Sequence, residues 1–140
     1  MTVWMLALAM AGMGSDAAAR PDTLEGEGRW YTEHQKSIVE IYDCGDGTPC
    51  GRVAWIDPDK DNVFTDDHNH DPALRGRPME GVVILSGFVW TEDGWRGGEI
   101  YNPKNGKSYA AKMNVAEDGS LLVKGCVGPI CKGLRWTEAP

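Results

Sequence analysis

Residues 88–123 read FVWTEDGWRGGEIYNPKNGKSYAAKMNVAEDGSLLV, and this stretch decides the fold. Mixed apolar and polar runs at 88–90, 95–101 and 107–115 are divided by Glu92-Asp93-Gly94 and by Asn102-Pro103-Lys104-Asn105-Gly106. A third turn, Glu117-Asp118-Gly119, leads into a further run at 121–125. Asn-Gly tolerates positive φ at both turn positions and therefore joins antiparallel strands, which makes the stretch a meander. Tyr109, Ala111 and Met113 fall on one side of their run, the period of two expected of a half-buried strand.

Working outward, 28–32 and 37–42 read as strands with His34, Gln35 and Lys36 between them, and Gly45-Asp46-Gly47 turns the chain into 51–56. Alternation there assigns Val53 and Trp55 to the core face and Arg52, Ala54 and Ile56 to the other. Strands resume at 82–85, and 134–137 closes the chain. Residues 72–74 fit at most a single helical turn. The prediction is an all-β domain of about eight or nine short strands in a small antiparallel barrel, because closure leaves no edge strand exposed, with a sandwich as the alternative. Residues 57–80 break the pattern as one long irregular loop rich in Asp, Asn, His, Pro and Gly, and loops of that length tend to be functional.

The composition agrees with one domain: 140 residues, 41% hydrophobic and 9% aromatic, supply a single core. A formal charge of -7 with scattered basic residues argues against nucleic acid and anionic membrane surfaces as partners. Residues 3–13 are apolar and precede Ala17-Ala18-Ala19, the small-residue pattern of a cleavage site, so 1–19 reads as a signal peptide and 20–140 as the mature domain, periplasmic or secreted. No later run is long enough for a transmembrane segment. Cys44 and Cys50, and Cys126 and Cys131, suit two sequence-local disulfides in an oxidising compartment, although four cysteines allow three connectivities. A zinc site on all four thiolates is the rival, disfavoured by the spacers.

Several motifs together point to one family: Gly28-Arg29-Trp30, Cys50-Gly51-Arg52, Asp71-Pro72 followed by Leu74-Arg75 and Arg77-Pro78, Gly97-Gly98 before Ile100-Tyr101-Asn102-Pro103, Gly106-Lys107 before Tyr109, and Gly125-Cys126 with Trp136. In these the chain resembles, from Gly28 to Trp136, the bacterial exported family catalogued as domain of unknown function 2147. The resemblance implies export and a lipocalin-like (calycin-like) barrel, and it brings no ligand, reaction or catalytic residue.

Asp57, Asp59 and Asp61, with His68 and His70, are the candidate metal ligands, since alternate carboxylates suit a hard cation. An EF-hand starting at Asp57 fails, because Asn62 and His68 stand where Gly and Glu are needed. Acidic turns that cap their own backbone are the plainer reading. Arg75 and Arg77 are candidates either to fork onto a carboxylate or phosphate, or to clamp the long loop internally through acids such as Asp71 and Glu99. Tyr101, Asn102 and Tyr109 are candidates to supplement such a site. Trp30, Trp55, Trp90, Trp95 and Trp136 are read mainly as core, with a ligand-lined cavity as the alternative. No serine-hydrolase elbow, zincin helix or phosphate loop occurs, so no catalytic residue and no cofactor is assigned. The expected function is non-enzymatic binding of a small molecule or cell-envelope component; a structural or protein-interaction module is the alternative, and an unusual hydrolase ranks below both.

Overall fold

The computed structural model describes residues 23–140, and the leader expected over 1–19 lies outside the described residues. Nine strands make one sheet: β1 Gly28–Tyr31, β2 Ser37–Asp43, β3 Pro49–Ile56, β4 Val83–Ser86, β5 Val89–Thr91, β6 Gly94–Asn102, β7 Lys107–Val115, β8 Leu121–Val127 and β9 Ile130–Glu138. They run in the order β4-β3-β2-β1-β9-β8-β7-β6-β5, and β4 also pairs with β6. That pairing sets Leu85 opposite Ile100 and Ser86 opposite Glu99, and it closes eight strands into an antiparallel barrel. The barrel expected from the alternation and turns is the barrel observed.

The ninth strand, β5, sits on the same edge of β6 as β4 does, farther along it, with Val89 opposite Arg96 and Thr91 opposite Gly94. Gly87 and Phe88 mark the break between β4 and β5. The Phe88 ring lies so close to Gly98 that a Cβ there would be 2.5 Å from it, which only glycine accommodates. Ring and missing side chain thus fill the same space, and the strand bends without leaving a void.

One expectation about faces is corrected. Val53 and Ile56 are buried, whereas Trp55 is 36% exposed. The cause is a bulge: Ile38 pairs with Trp55 while the adjacent Val39 pairs with Val53, so Ala54 is skipped and the alternation reverses beyond it. An extra residue in one strand sends everything after it to the opposite face.

The barrel's two ends are built differently. The β2–β3, β5–β6 and β7–β8 turns meet residues 23–27 at one end, which a large apolar cluster seals. Trp30, Val39, Ile41, Leu85, Trp95, Leu121, Val123 and Trp136 belong to that cluster, and Leu24 packs against it. Two of its three buried indoles reach backbone carbonyls of residues 23–27, Trp30 Nε1 donating to that of Gly26 at 2.7 Å and Trp95 Nε1 to that of Glu25 at 3.0 Å. Each such apolar side chain contributes about 1.5–3 kcal/mol by leaving water.

The opposite end carries the β1–β2 turn with its 3-10 segment Glu33–Gln35, the long loop after β3, the β6–β7 turn and the β8–β9 turn. A smaller cluster of Val53, Ile56, Met79 and Val82, with Val63 against it, holds the long loop there. Cys44 is bonded to Cys50 across the β2–β3 turn, and Cys126 to Cys131 across the β8–β9 hairpin, so each end has one disulfide. Cys126 and Cys131 are also cross-strand partners, and β8 and β9 run on past the predicted 121–125 and 134–137 to meet at the bridge. Among the described residues no helix is long and apolar enough to cross a membrane.

Candidate ligand-binding site

The long loop is pinned by one carboxylate. Asp66 is fully buried, and its side chain accepts hydrogen bonds from Tyr101 Oη (2.5 Å), Asn69 Nδ2 (2.8 Å) and Arg77 Nε (3.0 Å). The backbone repeats the connection, since the Asp66 N–H donates to the Arg77 carbonyl, the Met79 N–H donates to that of Phe64, and Thr65 bridges Pro78. The loop is therefore a folded ribbon tied to β6 through Tyr101. Burial acts against the charged form of Asp66, yet the bonds from Tyr101, Asn69 and Arg77, with the guanidinium charge, outweigh it and hold the carboxyl below its ordinary value. Burial, then the bond to Asp66 and its charge, pushes Tyr101 up to about 12.

A second contact seats the loop on the β6–β7 turn. Gly106 has φ +71, and a Cβ there would fall 1.8 Å from the carbonyl oxygen of His68. No side chain fits between turn and loop, and the positive φ independently favours glycine. The same turn is braced from within: Asn102 Oδ1 accepts the Lys104 N–H at 3.0 Å, and Asn105 Nδ2 donates to Tyr109 Oη at 2.7 Å.

The predicted site residues thus divide. Arg77 and Tyr101 meet on Asp66; Arg75 donates instead to the Asn69 carbonyl at 2.7 Å, within the loop. The internal partners are Asp66 and this carbonyl, not Asp71 and Glu99. Asn102 and Tyr109 shape the turn. Asp57 and Asp61 cap backbone N–H groups of their own turn, Asp57 that of Asp59 at 2.9 Å and Asp61 those of Asn62 and Val63 at 2.7 and 3.1 Å. His68 and His70 are exposed. Among the described residues no three His, Cys, Asp or Glu side chains gather in a way that could hold a metal ion.

Beside the pinned loop the barrel mouth stays open. A cleft of about 460 Å³ is lined by Ile100, Tyr109, Gly125, Val127 and Leu134, with the predicted Tyr101 and Asn102, and Lys104 and Lys132, also in its wall. Register explains the lining. Ile100 pairs with both Leu85 and Tyr109, and Leu85 is core, so Ile100 and Tyr109 face the interior. Gly125 pairs with Ala111 and Lys132, placing Lys132 on the inner face above the core. Gly125 leaves the gap: a Cβ there would lie 3.4 Å from Ile100 Cγ2. At the rim Val127 and Ile130 are cross-strand partners and are 66% and 76% exposed.

An adjoining cleft of about 300 Å³ is lined by Lys36, Lys104 and Lys132, with Asp61, Leu134 and Trp136 also in its wall. Sequence reasoning passed over Asp66 as the anchor and over these three lysines. Asp66 is one aspartate among many in its loop, and the lysines come from the β1–β2 turn, the β6–β7 turn and β9.

The comparisons accord with this architecture. The family model described as "Uncharacterized protein conserved in bacteria (DUF2147)" matches residues 28–138. Among solved structures, a protein of Helicobacter pylori, HP1028, described as belonging to the lipocalin family, aligns with a TM-score of 0.69 at 27% identity, covering 84% of this chain and 85% of that one. The fold is thus lipocalin-like. No curated protein matches the chain.

Proposed function

The chain belongs to the DUF2147 family of bacterial proteins, and from that premise we propose that it is an exported barrel that binds a small molecule in its open mouth. The observation that carries this reading is the half-filled interior. Apolar side chains pack the sealed end, while above them Gly125 leaves a cleft of about 460 Å³, within the usual size range of ligand pockets. The walls combine an apolar majority with a few polar groups, the pattern such sites use to give affinity and orientation. The HP1028 protein, described as a lipocalin, supports the reading by its likeness in fold. Export to the periplasm or the exterior is supported by two disulfides, which persist in oxidising compartments, and by the leader-like residues 1–19.

The test is titration of the purified protein with a neutral, environment-sensitive naphthylamine dye. Saturable binding is expected, together with its loss in Gly125→Leu, whose side chain fills the cleft at a position of ordinary φ. Circular dichroism of the variant checks that the barrel persists. Undiminished binding in the variant, or none in the parent, rejects the mouth as the site.

A further inference from the structure

The basic residues of this acidic chain are not used alike. Arg29 and Arg52 pair with Glu40, Lys60 with Asp57, Arg77 with Asp66, Arg96 with Asp93 and Arg135 with Asp118. Lys36, Lys104 and Lys132 make no ion pair among the described residues, and neither do Arg75, Lys107, Lys112 and Lys124, but Lys36, Lys104 and Lys132 share one cleft at the open end. The acids that share this cleft are Glu33 and Asp61; the N–H groups of Asn62 and Val63 take Oδ1 of Asp61 and leave its charge in place, so three cations face two anions there. Three lysines and two acids thus line the mouth cleft, a local excess of positive charge on a protein whose formal charge is -7.

The positive groups lie against apolar wall. Lys104 and Lys132 also border the larger cleft, where Ile100, Val127 and Leu134 provide the lining, and Leu134 is common to both clefts. Lys132 and Leu134 lie two residues apart on β9, facing the interior beside Gly125 and Val123 respectively. Along β8 and β9 the exposed pair Val127 and Ile130 stands outermost, Lys132 beside Gly125 comes next, and Leu134 beside Val123 meets the packed floor, so cationic and apolar lining alternate down the mouth.

Resting on the mouth as the binding site, we infer that the ligand is a single-chain amphiphile with an anionic head. Lys36, Lys104 and Lys132 receive its carboxylate or phosphate, and its hydrocarbon lies along Ile100, Val127 and Leu134. The lysines act as point charges at an exposed rim and accept head groups of varied shape, whereas the apolar wall contributes in proportion to the chain length buried.

The experiment displaces the neutral dye from the purified protein with dodecanoate, dodecanol, dodecyltrimethylammonium and acetate, at low and high salt. Dodecanoate is expected to bind about tenfold or more tightly than the alcohol, a difference of about 1.4 kcal/mol, with the advantage shrinking as salt screens the lysines. Acetate is expected not to compete. The triple variant Lys36→Gln, Lys104→Gln, Lys132→Gln is expected to bind dye and dodecanol as before while losing the preference for dodecanoate. Dodecanol or the cationic amphiphile equalling dodecanoate, or an unchanged preference in the triple variant, overturns the anionic head while leaving the mouth intact as a site. Acetate competing as well as dodecanoate overturns the tail. Capture by anionic vesicles with no uptake of monomeric dodecanoate makes the lysines a surface contact and overturns the ligand. Failure of dye and every amphiphile alike removes the mouth itself.

Discussion

The sealed and open ends of this barrel are closed by different physics. At the sealed end, indoles and aliphatic side chains exclude water, and residues 23–27 supply the carbonyls that Trp30 and Trp95 need. At the open end one buried carboxylate, Asp66, organises a long polar loop and leaves a cleft beside it. Apolar packing is indifferent to direction and fills space, so it suits a floor; hydrogen bonds to a carboxylate are directional, so they hold a loop to one side without filling the mouth. Stability and access are thereby assigned to opposite ends.

That division is open to direct attack. Trp95→Ala should have the largest effect, about 3–5 kcal/mol in urea unfolding, because it empties the floor and frees the Glu25 carbonyl. If the global loss is below about 1 kcal/mol, the sealed end does not carry the fold.

Asp66→Asn should cost about 1.5–3 kcal/mol near neutral pH, with hydrogen exchange accelerated first in residues 57–80. The folded pKa of Asp66 is depressed, so the carboxylate's contribution is present above the unfolded value of about 3.9 and is lost as pH falls through the folded one. Parent and variant should therefore converge in stability under acid. Tyr101 has the opposite sign: its raised pKa gives a contribution that is complete below about 10 and lost as pH climbs through about 12. An Asp66→Asn penalty that is constant across pH would show that the charge of the carboxylate does not hold the loop.

Cys126→Ser with Cys131→Ser should lower stability by about 2 kcal/mol on the chain-entropy account, well below Trp95→Ala, because the closed loop is short. The comparison is sharpened if this loss is accompanied by fraying of Val127 to Ile130 at the rim while the indole fluorescence of the floor is unchanged.

Much of the barrel was legible in the sequence because its signals are local. The period of two from Lys107 to Val115 and the Asn-Gly turn before it specify β7 and its hairpin without reference to anything distant. Trp55 was misplaced because its face depends on a bulge created by pairing with β2, which no pattern within β3 announces. Closure through β4 and β6 is likewise a long-range fact. The site shows the same boundary. Arg77 and Tyr101 stood out by residue type and neighbourhood, yet their common partner is distinguished from Asp57, Asp59 and Asp61 only by burial. The three mouth lysines are distant in sequence and become neighbours only when the barrel closes.

The positions of the two disulfides bear on how the chain is made. Each bridge joins cysteines five or six residues apart, and the stretch from Cys50 to Cys126 is far longer. Loop-closure statistics favour encounters within each pair over encounters between pairs by roughly tens-fold, before any strand has formed. An unfolded chain meeting an oxidant therefore crosslinks in the native pattern by proximity, and the barrel then closes around hairpins whose tips are already tied.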